Sequence, residues 1–197
     1  MAEDYNFYAY MDRMKYIRRW QLMRSVREEN IMEHSESVAL LTHALCLIHN
    51  DLFPDDRVDI EKAVLYAVYH ETSEVMTGDL PTPIKYFNRE ISGAYKDMER
   101  RACEKLLSFL PESMKRELSP YVLANEESKE YLLMKAADRL SAYIRCIEER
   151  RSGNNEFIKA EKSIREDLSS RGLPEVDRFL VWFLPAYEKT LDELENR

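Results

Sequence analysis

Apolar residues recur at intervals of three and four in every periodic segment of this sequence, the spacing that places them on one face of an α-helix. Only 4 glycines and 7 prolines interrupt the 197 residues. So few turn-forming residues disfavour an architecture of many short strands. The sequence therefore predicts an all-α fold of about eight helices, and its length suits a single domain over residues 1–197.

The net charge and the cysteine content limit which binding partners and which cellular compartment are compatible with the sequence. The net charge of −8 argues against binding a nucleic-acid polymer but leaves a small anionic substrate open. The most apolar run, Val38–Ile48, is 11 residues long, too short to span a membrane. The cysteines are odd in number and lie within helical patterns, which predicts reduced thiols and a cytoplasmic protein: Cys46, Cys103 and Cys146.

The segment His70–Asp79 holds one histidine and three carboxylates within ten residues and includes the turn-forming Gly78. We predict a helix from Ile60 to about Met76. On that helix His70 and Glu74 share a face, whereas Glu71 lies about 100° around from His70. Considered alone, the segment fits a solvated helix end as well as it fits a ligand-binding site.

Two other predicted helices each place a polar side chain toward the core. His34 lies on the apolar stripe of a helix from Asn30 to about His49, where a hydrogen-bonded core histidine is the ordinary interpretation. Asp138 lies within a helix from about Ser128 to Arg151. A buried carboxylate is costly without a partner, so we expect an arginine or a metal ion beside it.

Together these residues form a plausible ligand set for a metal ion. Two imidazoles and two carboxylates suit a first-row divalent ion and leave coordination positions open for water and substrate. The predicted metal ligands are His34, His70, Glu71 and Asp138.

A cationic segment, Arg18-Arg19-Trp20, follows a first helix that we predict from Phe7 to Ile17. Arginines at a helix C-terminus can simply complement the helix dipole, and a tryptophan can simply pack. The same residues could instead clamp a phosphate and cover a sugar or base.

The order His34 … His70-Glu71 … Asp138 resembles that of the HD-domain metal-dependent phosphohydrolases. Further segments are similar to the bacterial 5′-deoxynucleotidases in particular, and the similarity extends over nearly the whole chain. These segments are Arg18–Trp20, Val26–Asn30, Glu33–Ser35, Ser73–Asn88 and Gly153–Phe157.

The resemblance implies a helical bundle around one divalent transition metal (Co, Mn, Zn or Fe), a cytoplasmic homodimer and a small-molecule deoxynucleotide substrate. The implied reaction converts 2′-deoxyribonucleoside 5′-monophosphates to deoxynucleoside and phosphate. In this interpretation Arg19 orients the phosphate, Trp20 lies beside the sugar and Glu74 transfers protons. The implied substrate contacts also include Glu71, Asp79, Leu80, Pro81, Thr82 and Asp138.

The chain departs from the family pattern at the doublet His70-Glu71, where the family has His-Asp. One added methylene moves the carboxylate outward by about 1.5 Å, whereas metal–oxygen distances are about 2.0–2.2 Å. Backbone or rotamer changes could absorb this difference. Two alternatives therefore remain: a phosphohydrolase with another small phosphate ester as substrate, and a nucleotide-binding protein without catalytic activity.

Overall fold

The computed structural model describes residues 4–85 and 87–195, except for the side chain of Thr82. Within these residues all regular elements are helical, which confirms the predicted all-α fold. The α-helices are α1 (Phe7–Met11), α2 (Ile31–Leu52), α3 (Ile60–Tyr69), α4 (Glu74–Thr77), α5 (Thr82–Lys85), α6 (Arg89–Leu107), α7 (Glu112–Val122), α8 (Lys129–Arg151), α9 (Ile158–Ser170), α10 (Pro174–Trp182) and α11 (Leu191–Glu195). Short 3₁₀ helices occupy Asp12–Tyr16, Asn155–Phe157 and Leu184–Glu188.

Helix α2 extends through two hydrophobic cores. It packs directly against α3, α8 and α10, and its Val38 and Leu45 belong to the larger core, to which α9 contributes through its packing on α8. In the smaller core its first residue, Ile31, joins side chains of α1, α6 and α7. His34 lies one turn after Ile31 and is completely buried. His34 therefore lies on α2 between Ile31 of the smaller core and Val38 of the larger core.

The helix predicted from Ile60 to Met76 is interrupted, and this part of the prediction is wrong. Helix α3 ends at Tyr69, residues 70–73 form turns, and α4 begins at Glu74. Thr72 donates both its backbone N–H, over 3.1 Å, and its hydroxyl, over 2.7 Å, to the carbonyl of Tyr69. Such local bonds compete with the helical ladder. His70 and Glu74 therefore do not share one helix.

Two prolines lie within helical elements. Pro120 lies inside α7, close to the helix end, where its missing N–H removes a single ladder bond. Pro185 lies in the first turn of the 3₁₀ helix between α10 and α11.

The cysteines agree with the prediction of reduced thiols. All three are buried and unpaired, and burial raises the pKa of the Cys46 and Cys146 thiols to about 12. Among the described residues, none of the helices is long and apolar enough to cross a membrane.

The segment between the first 3₁₀ helix and α2 is anchored to the C-terminal part of α8. The Glu149 carboxylate accepts the backbone N–H of Val26 at 2.9 Å and the Asn154 side-chain amide at 2.7 Å. It also pairs with Arg145, which donates in addition to the carbonyl of Arg27. These contacts hold the loop that carries the cationic segment against the bundle.

Glu149→Gln is expected to lower the free energy of unfolding by about 3 kcal/mol, because it removes the buried ion-pair partner of the buried Arg145. Denaturant unfolding followed by circular dichroism measures this loss. The neighbouring Glu148 pairs with the same arginine at 3.2 Å, but its side chain is 50% exposed. Glu148→Gln should therefore cost less than about 1 kcal/mol, and equal losses in the two variants would contradict the anchor role.

The same anchor should depend on pH. Burial pushes the pKa of Glu149 upward, but the Val26 N–H, Asn154 and Arg145 outweigh it and hold the pKa below its usual value. The folded state therefore binds fewer protons than the unfolded state, so the stabilisation is present above about pH 4.3. This stabilisation is lost as the pH falls through the lowered pKa of Glu149. The difference in the free energy of unfolding between the wild type and Glu149→Gln should narrow over the same pH range.

Candidate active site

Four side chains from separate parts of the fold meet in one cluster. His34 comes from α2, His70 and Glu71 from the turn that follows α3, and Asp138 from the middle of α8. One ligand atom from each lies within 4.8 Å of the others. His34 Nε2 is 3.1 Å from Asp138 Oδ1 and 3.4 Å from His70 Nε2. The structure thus brings together the four residues that the sequence predicted as metal ligands.

Glu71 reaches this cluster despite its longer side chain. Its Oε1 atom lies 3.1 Å from His70 Nε2 and 3.6 Å from His34 Nε2. The chain leaves the regular helix at this point, so the direction of the side chain is set by the turn over residues 70–73. The added methylene therefore does not carry the carboxylate out of the site.

Hydrogen bonds orient both imidazoles with Nε2 toward the cluster. His70 Nδ1–H donates to the carbonyl of Ala67 over 2.7 Å, which leaves the Nε2 lone pair available. His34 Nδ1 lies 3.3 Å from Ser141 Oγ and 2.8 Å from Arg19 Nη1. With the proton on Nδ1, His34 can donate to Ser141 and presents a lone pair at Nε2; with the proton on Nε2, it accepts from Arg19.

The cation beside Asp138 is a lysine, where we expected an arginine or a metal ion. Lys135 Nζ lies 2.6 Å from Asp138 Oδ2, one turn before it on α8. Burial alone would raise the pKa of Asp138, but Lys135 and His34 hold it well below its usual range. Because Lys135 occupies Oδ2, the other oxygen faces the histidines. The helical spacing of three from Asp138 was the available sequence signal for Lys135.

The carboxylates of the cluster favour positive charge on His70, whereas burial and then the charge of Arg19 lower the pKa of His34. Burial opposes the charged forms of both His70 and Glu71, yet their attraction raises the pKa of His70 and lowers that of Glu71. Two ionised carboxylates match the charge of a divalent ion, and the mixed nitrogen and oxygen donors suit a first-row metal. The residues present therefore fit a divalent transition metal.

Two further carboxyl groups near the cluster are shifted toward their neutral forms. Burial, and then the negative charge of Glu71, raises the pKa of Glu74 to about 10. Burial also raises the pKa of Asp79, against the opposing effect of Arg19. A carboxyl that retains its proton at neutral pH can serve as an acid.

Arg19 lies beside His34 and shares with Trp20 a partner that the sequence pattern did not indicate. Arg19 Nη1 donates to Glu29 Oε2 at 2.9 Å, and the indole N–H of Trp20 donates to the same oxygen at 3.0 Å. The Trp20 ring packs edge-on against Phe157, with centroids 5.2 Å apart. Glu29 reaches Arg19 and Trp20 because the chain pairs Arg18 with Asn30 in an antiparallel bridge. Such a bridge between irregular segments leaves no periodic signal in the sequence.

The predicted substrate loop is tied to its surroundings by weak polar contacts. Asp79, Leu80 and Pro81 are half-buried. Gln21 Nε2 approaches the carbonyl of Asp79 at 3.4 Å, and the Tyr95 hydroxyl approaches that of Gly78 at 3.5 Å. Gly78 has φ of +73°, a conformation that favours glycine. The side chain of Thr82 lies outside the described part of the structure.

Solved structures identify the class of fold. An HD-domain phosphohydrolase from Listeria innocua superposes with a TM-score of 0.77 at 20% identity, covering 92% of this chain and 88% of the other. An HD phosphohydrolase of cyanophage S-2L, DatZ, superposes with a TM-score of 0.64 at 20% identity, covering 92% and 96%. The fold is that of the HD-domain phosphohydrolases.

Sequence relatives identify the family within that class. The family described as 5′-deoxynucleotidase YfbR-like matches residues 6–187, and the chain belongs to it. A 5′-deoxynucleotidase of Vibrio atlanticus is 46% identical over 190 residues, covering 96% of this chain and 97% of the relative. One of Erwinia tasmaniensis is 44% identical over 192 residues, covering 97% and 96%. The predicted resemblance is confirmed, and with it the enzyme class, a phosphoric monoester hydrolase.

Proposed function

We propose that this protein is a metal-dependent 5′-deoxynucleotidase, which hydrolyses 2′-deoxyribonucleoside 5′-monophosphates to deoxynucleoside and phosphate. The observation that carries the proposal is the convergence of four ligand atoms within 4.8 Å, with Arg19 against one of the histidines. The names of the relatives support the activity. The cyanophage structure, described as bound to dA and one catalytic Zn²⁺ ion, supports a deoxynucleotide and a transition metal.

His34 and His70, through Nε2, and the carboxylates of Glu71 and Asp138 would hold the ion, for which the family resemblance implies Co, Mn, Zn or Fe. When bound, such an ion lowers the pKa of a coordinated water and polarises a phosphoryl oxygen. Lys135 keeps Asp138 oriented, and the Ala67 carbonyl keeps His70 oriented. Glu71 and Asp138 also border the space where substrate binds.

Arg19 orients the phosphate and neutralises its charge. Among the described residues Glu29 and His34 engage only Nη1, so the donors on Nε and Nη2 remain for phosphate oxygens. A guanidinium binds a phosphate with two parallel hydrogen bonds, which fixes direction as well as distance.

Glu74 acts in proton transfer. Its carboxyl retains a proton at neutral pH because its pKa is raised to about 10, and it can give that proton to the O5′ atom of the departing deoxynucleoside. Protonation of a leaving oxygen avoids the release of an alkoxide.

Trp20 and the loop formed by Asp79, Leu80, Pro81 and Thr82 contact the nucleoside. The indole is held between Glu29 and Phe157, so it can form a stiff wall against a 2′-hydroxyl. Rejection of one added hydroxyl requires such stiffness.

The proposed oligomeric state, cellular compartment and type of substrate rest on the family resemblance. The resemblance supports a homodimer, a cytoplasmic location and a small-molecule substrate. The match over residues 6–187 supports a single domain.

The experiment that tests this function is a phosphate-release assay of purified protein with Co, Mn, Zn or Fe(II) against dAMP, dTMP and AMP. We expect metal-dependent release from the deoxynucleotides and much slower release from AMP. Release confined to non-nucleotide esters would favour the alternative phosphohydrolase. Deoxynucleotide binding by calorimetry without release under any metal would favour a non-catalytic binding protein.

Ser141→Ala is expected to weaken metal binding by about 10–100-fold, because His34 Nδ1–H loses the acceptor that supports ligation through Nε2. Competition with a chelating dye measures the affinity. Ser35 is also buried and has no hydrogen-bond partner for its hydroxyl in the described structure. Ser35→Ala is therefore the matched control and should bind metal like the wild type. Equal metal affinities of the two variants would show that Ser141 does not support the binding of metal by His34.

A further inference from the structure

Two neighbouring ion pairs join the segment around Arg19 to the start of α2. Arg19 N–H donates to the Glu29 carbonyl at 2.9 Å, and Ile31 N–H donates to the Ile17 carbonyl at 3.0 Å. This short antiparallel pairing turns successive side chains to opposite sides. Arg18 and Glu28 pair on the outside, with side chains 66% and 69% exposed. Arg19 and Glu29 pair on the inside, at 15% and 6%.

The inner carboxylate serves two residues of the proposed substrate site at once. Glu29 Oε2 accepts both Arg19 Nη1 and the Trp20 indole N–H. Trp20 has φ of +59°, a left-handed conformation that is unfavourable for a bulky side chain. Such a conformation persists only where the surroundings hold it, and strained positions concentrate at functional sites. The bond to Glu29 is one of the contacts that hold it here.

Glu29 is also the partner of Arg19 that is compatible with a bound metal ion. Ligation through His34 Nε2 places the ring proton on Nδ1, and that N–H cannot accept a hydrogen bond from a guanidinium. The contact between Arg19 and His34 Nδ1 must then be given up. The ion pair with Glu29 is unaffected by this change, so it can fix Arg19 in the metal-loaded enzyme.

We propose that Glu29 is a positioning residue that holds Arg19 and Trp20 as one unit, and thereby sets the preference for deoxyribose over ribose. The proposal rests on the proposed function. The phosphate is fixed by Arg19 and the sugar follows it, so the distance from the sugar C2′ atom to the indole depends on the two side chains moving together. Glu29 connects them through a single oxygen atom.

Glu29→Gln removes the charge while keeping the shape. A hydrogen bond to a charged group contributes enough that its loss corresponds to about 10–100-fold in affinity or rate. We expect kcat/KM for dAMP to fall by about that factor. The ratio of kcat/KM for dAMP to that for AMP should fall at least about threefold, because a displaced indole no longer excludes the 2′-hydroxyl.

The control is Glu28→Gln, which removes the exposed carboxylate next to Glu29. It should leave unchanged both kcat/KM for dAMP and the ratio of kcat/KM for dAMP to that for AMP.

A second readout, tryptophan fluorescence, does not depend on turnover. In a Trp182→Phe background, Trp20 is the remaining tryptophan, and its emission should shift to longer wavelength and become more quenchable by acrylamide in Glu29→Gln only. If that variant does not fold, Glu29→Asp, which keeps the charge but shortens the side chain, should show the same reduced selectivity to a smaller degree.

The outcomes separate this inference from the function on which it rests. A wild-type protein that releases no phosphate from dAMP contradicts the proposed function and the role of Glu29 with it. An active wild type in which the Glu29 and Glu28 variants share the same selectivity and the same emission contradicts only the role of Glu29. Reduced selectivity and shifted emission confined to the Glu29 variants support it.

Discussion

Asp138→Asn is expected to lower kcat/KM for dAMP by at least about 10³-fold, which corresponds to about 4 kcal/mol of lost transition-state stabilisation. The amide keeps the shape of the side chain but is a much poorer metal ligand than a carboxylate. It also leaves Lys135, 2.6 Å away, without its counter-charge. Steady-state phosphate release under saturating metal measures the effect, and metal content after dialysis should fall in parallel.

A matched control for this substitution is Asp167→Asn. Asp167 also accepts from a residue of α8, Arg139, at 2.9 Å, but it does not belong to the cluster of four ligand atoms. Its variant should retain metal and activity within about twofold, since changes to partly exposed ion pairs are small. Full activity of Asp138→Asn would exclude Asp138 from the metal site.

Glu74→Gln is expected to lower kcat by about 10²–10⁴-fold while KM changes little, because the amide can occupy the same space but cannot give up an acidic proton. The wild-type kcat should fall as the pH rises through the raised pKa of Glu74, where the carboxyl loses its proton. The variant should lack that alkaline limb. Pre-steady-state and steady-state rates over a range of pH measure both effects.

Glu175→Gln controls for the removal of a buried carboxyl group. Glu175 is 3% exposed and pairs with His49 at 2.6 Å, within another part of the described structure. This variant is expected to lose stability without a change in kcat. A Glu74→Gln enzyme with wild-type kcat and an unchanged pH profile would show that another group transfers the proton.

The long buried helices were the most predictable part of the fold. Helices α2 and α8 carry continuous apolar stripes, and a stripe fixes both the helix and the side that faces the core. The inward direction of His34 followed from the stripe of α2, whereas Asp138 was placed on the face of α8 next to the apolar stripe. The meeting of His34 and Asp138 with His70 and Glu71 was expected because two imidazoles and two carboxylates form a ligand set for one divalent ion, in an order that resembles the HD-domain phosphohydrolases.

Other features depend on contacts that no periodic pattern encodes. The break after α3 follows from the Thr72 hydroxyl bonding to Tyr69, which outweighs the favourable helical pattern. The pairing of Arg19 with Glu29 requires two irregular segments to lie side by side. Lys135 has no distinctive signal in the sequence, because a lysine three positions before an aspartate on a helix usually forms a surface ion pair.

The position of the Glu71 carboxylate could not be predicted from the length of its side chain alone. From bond lengths alone, the longer side chain moves the ligand oxygen away from its expected position. The turn over residues 70–73 redirects it, and Oε1 lies 3.1 Å from His70 Nε2. The side chain and its backbone therefore have to be considered together.

Anomalous scattering from crystals grown with Mn or Zn tests the central claim most directly. We predict one ion, identified at its absorption edge, bonded to His34 Nε2, His70 Nε2, Asp138 and an oxygen of Glu71, at about 2.0–2.2 Å for the nitrogen and oxygen ligands. An ion bound elsewhere, or no ion at this cluster in protein that releases phosphate from dAMP, would contradict the account.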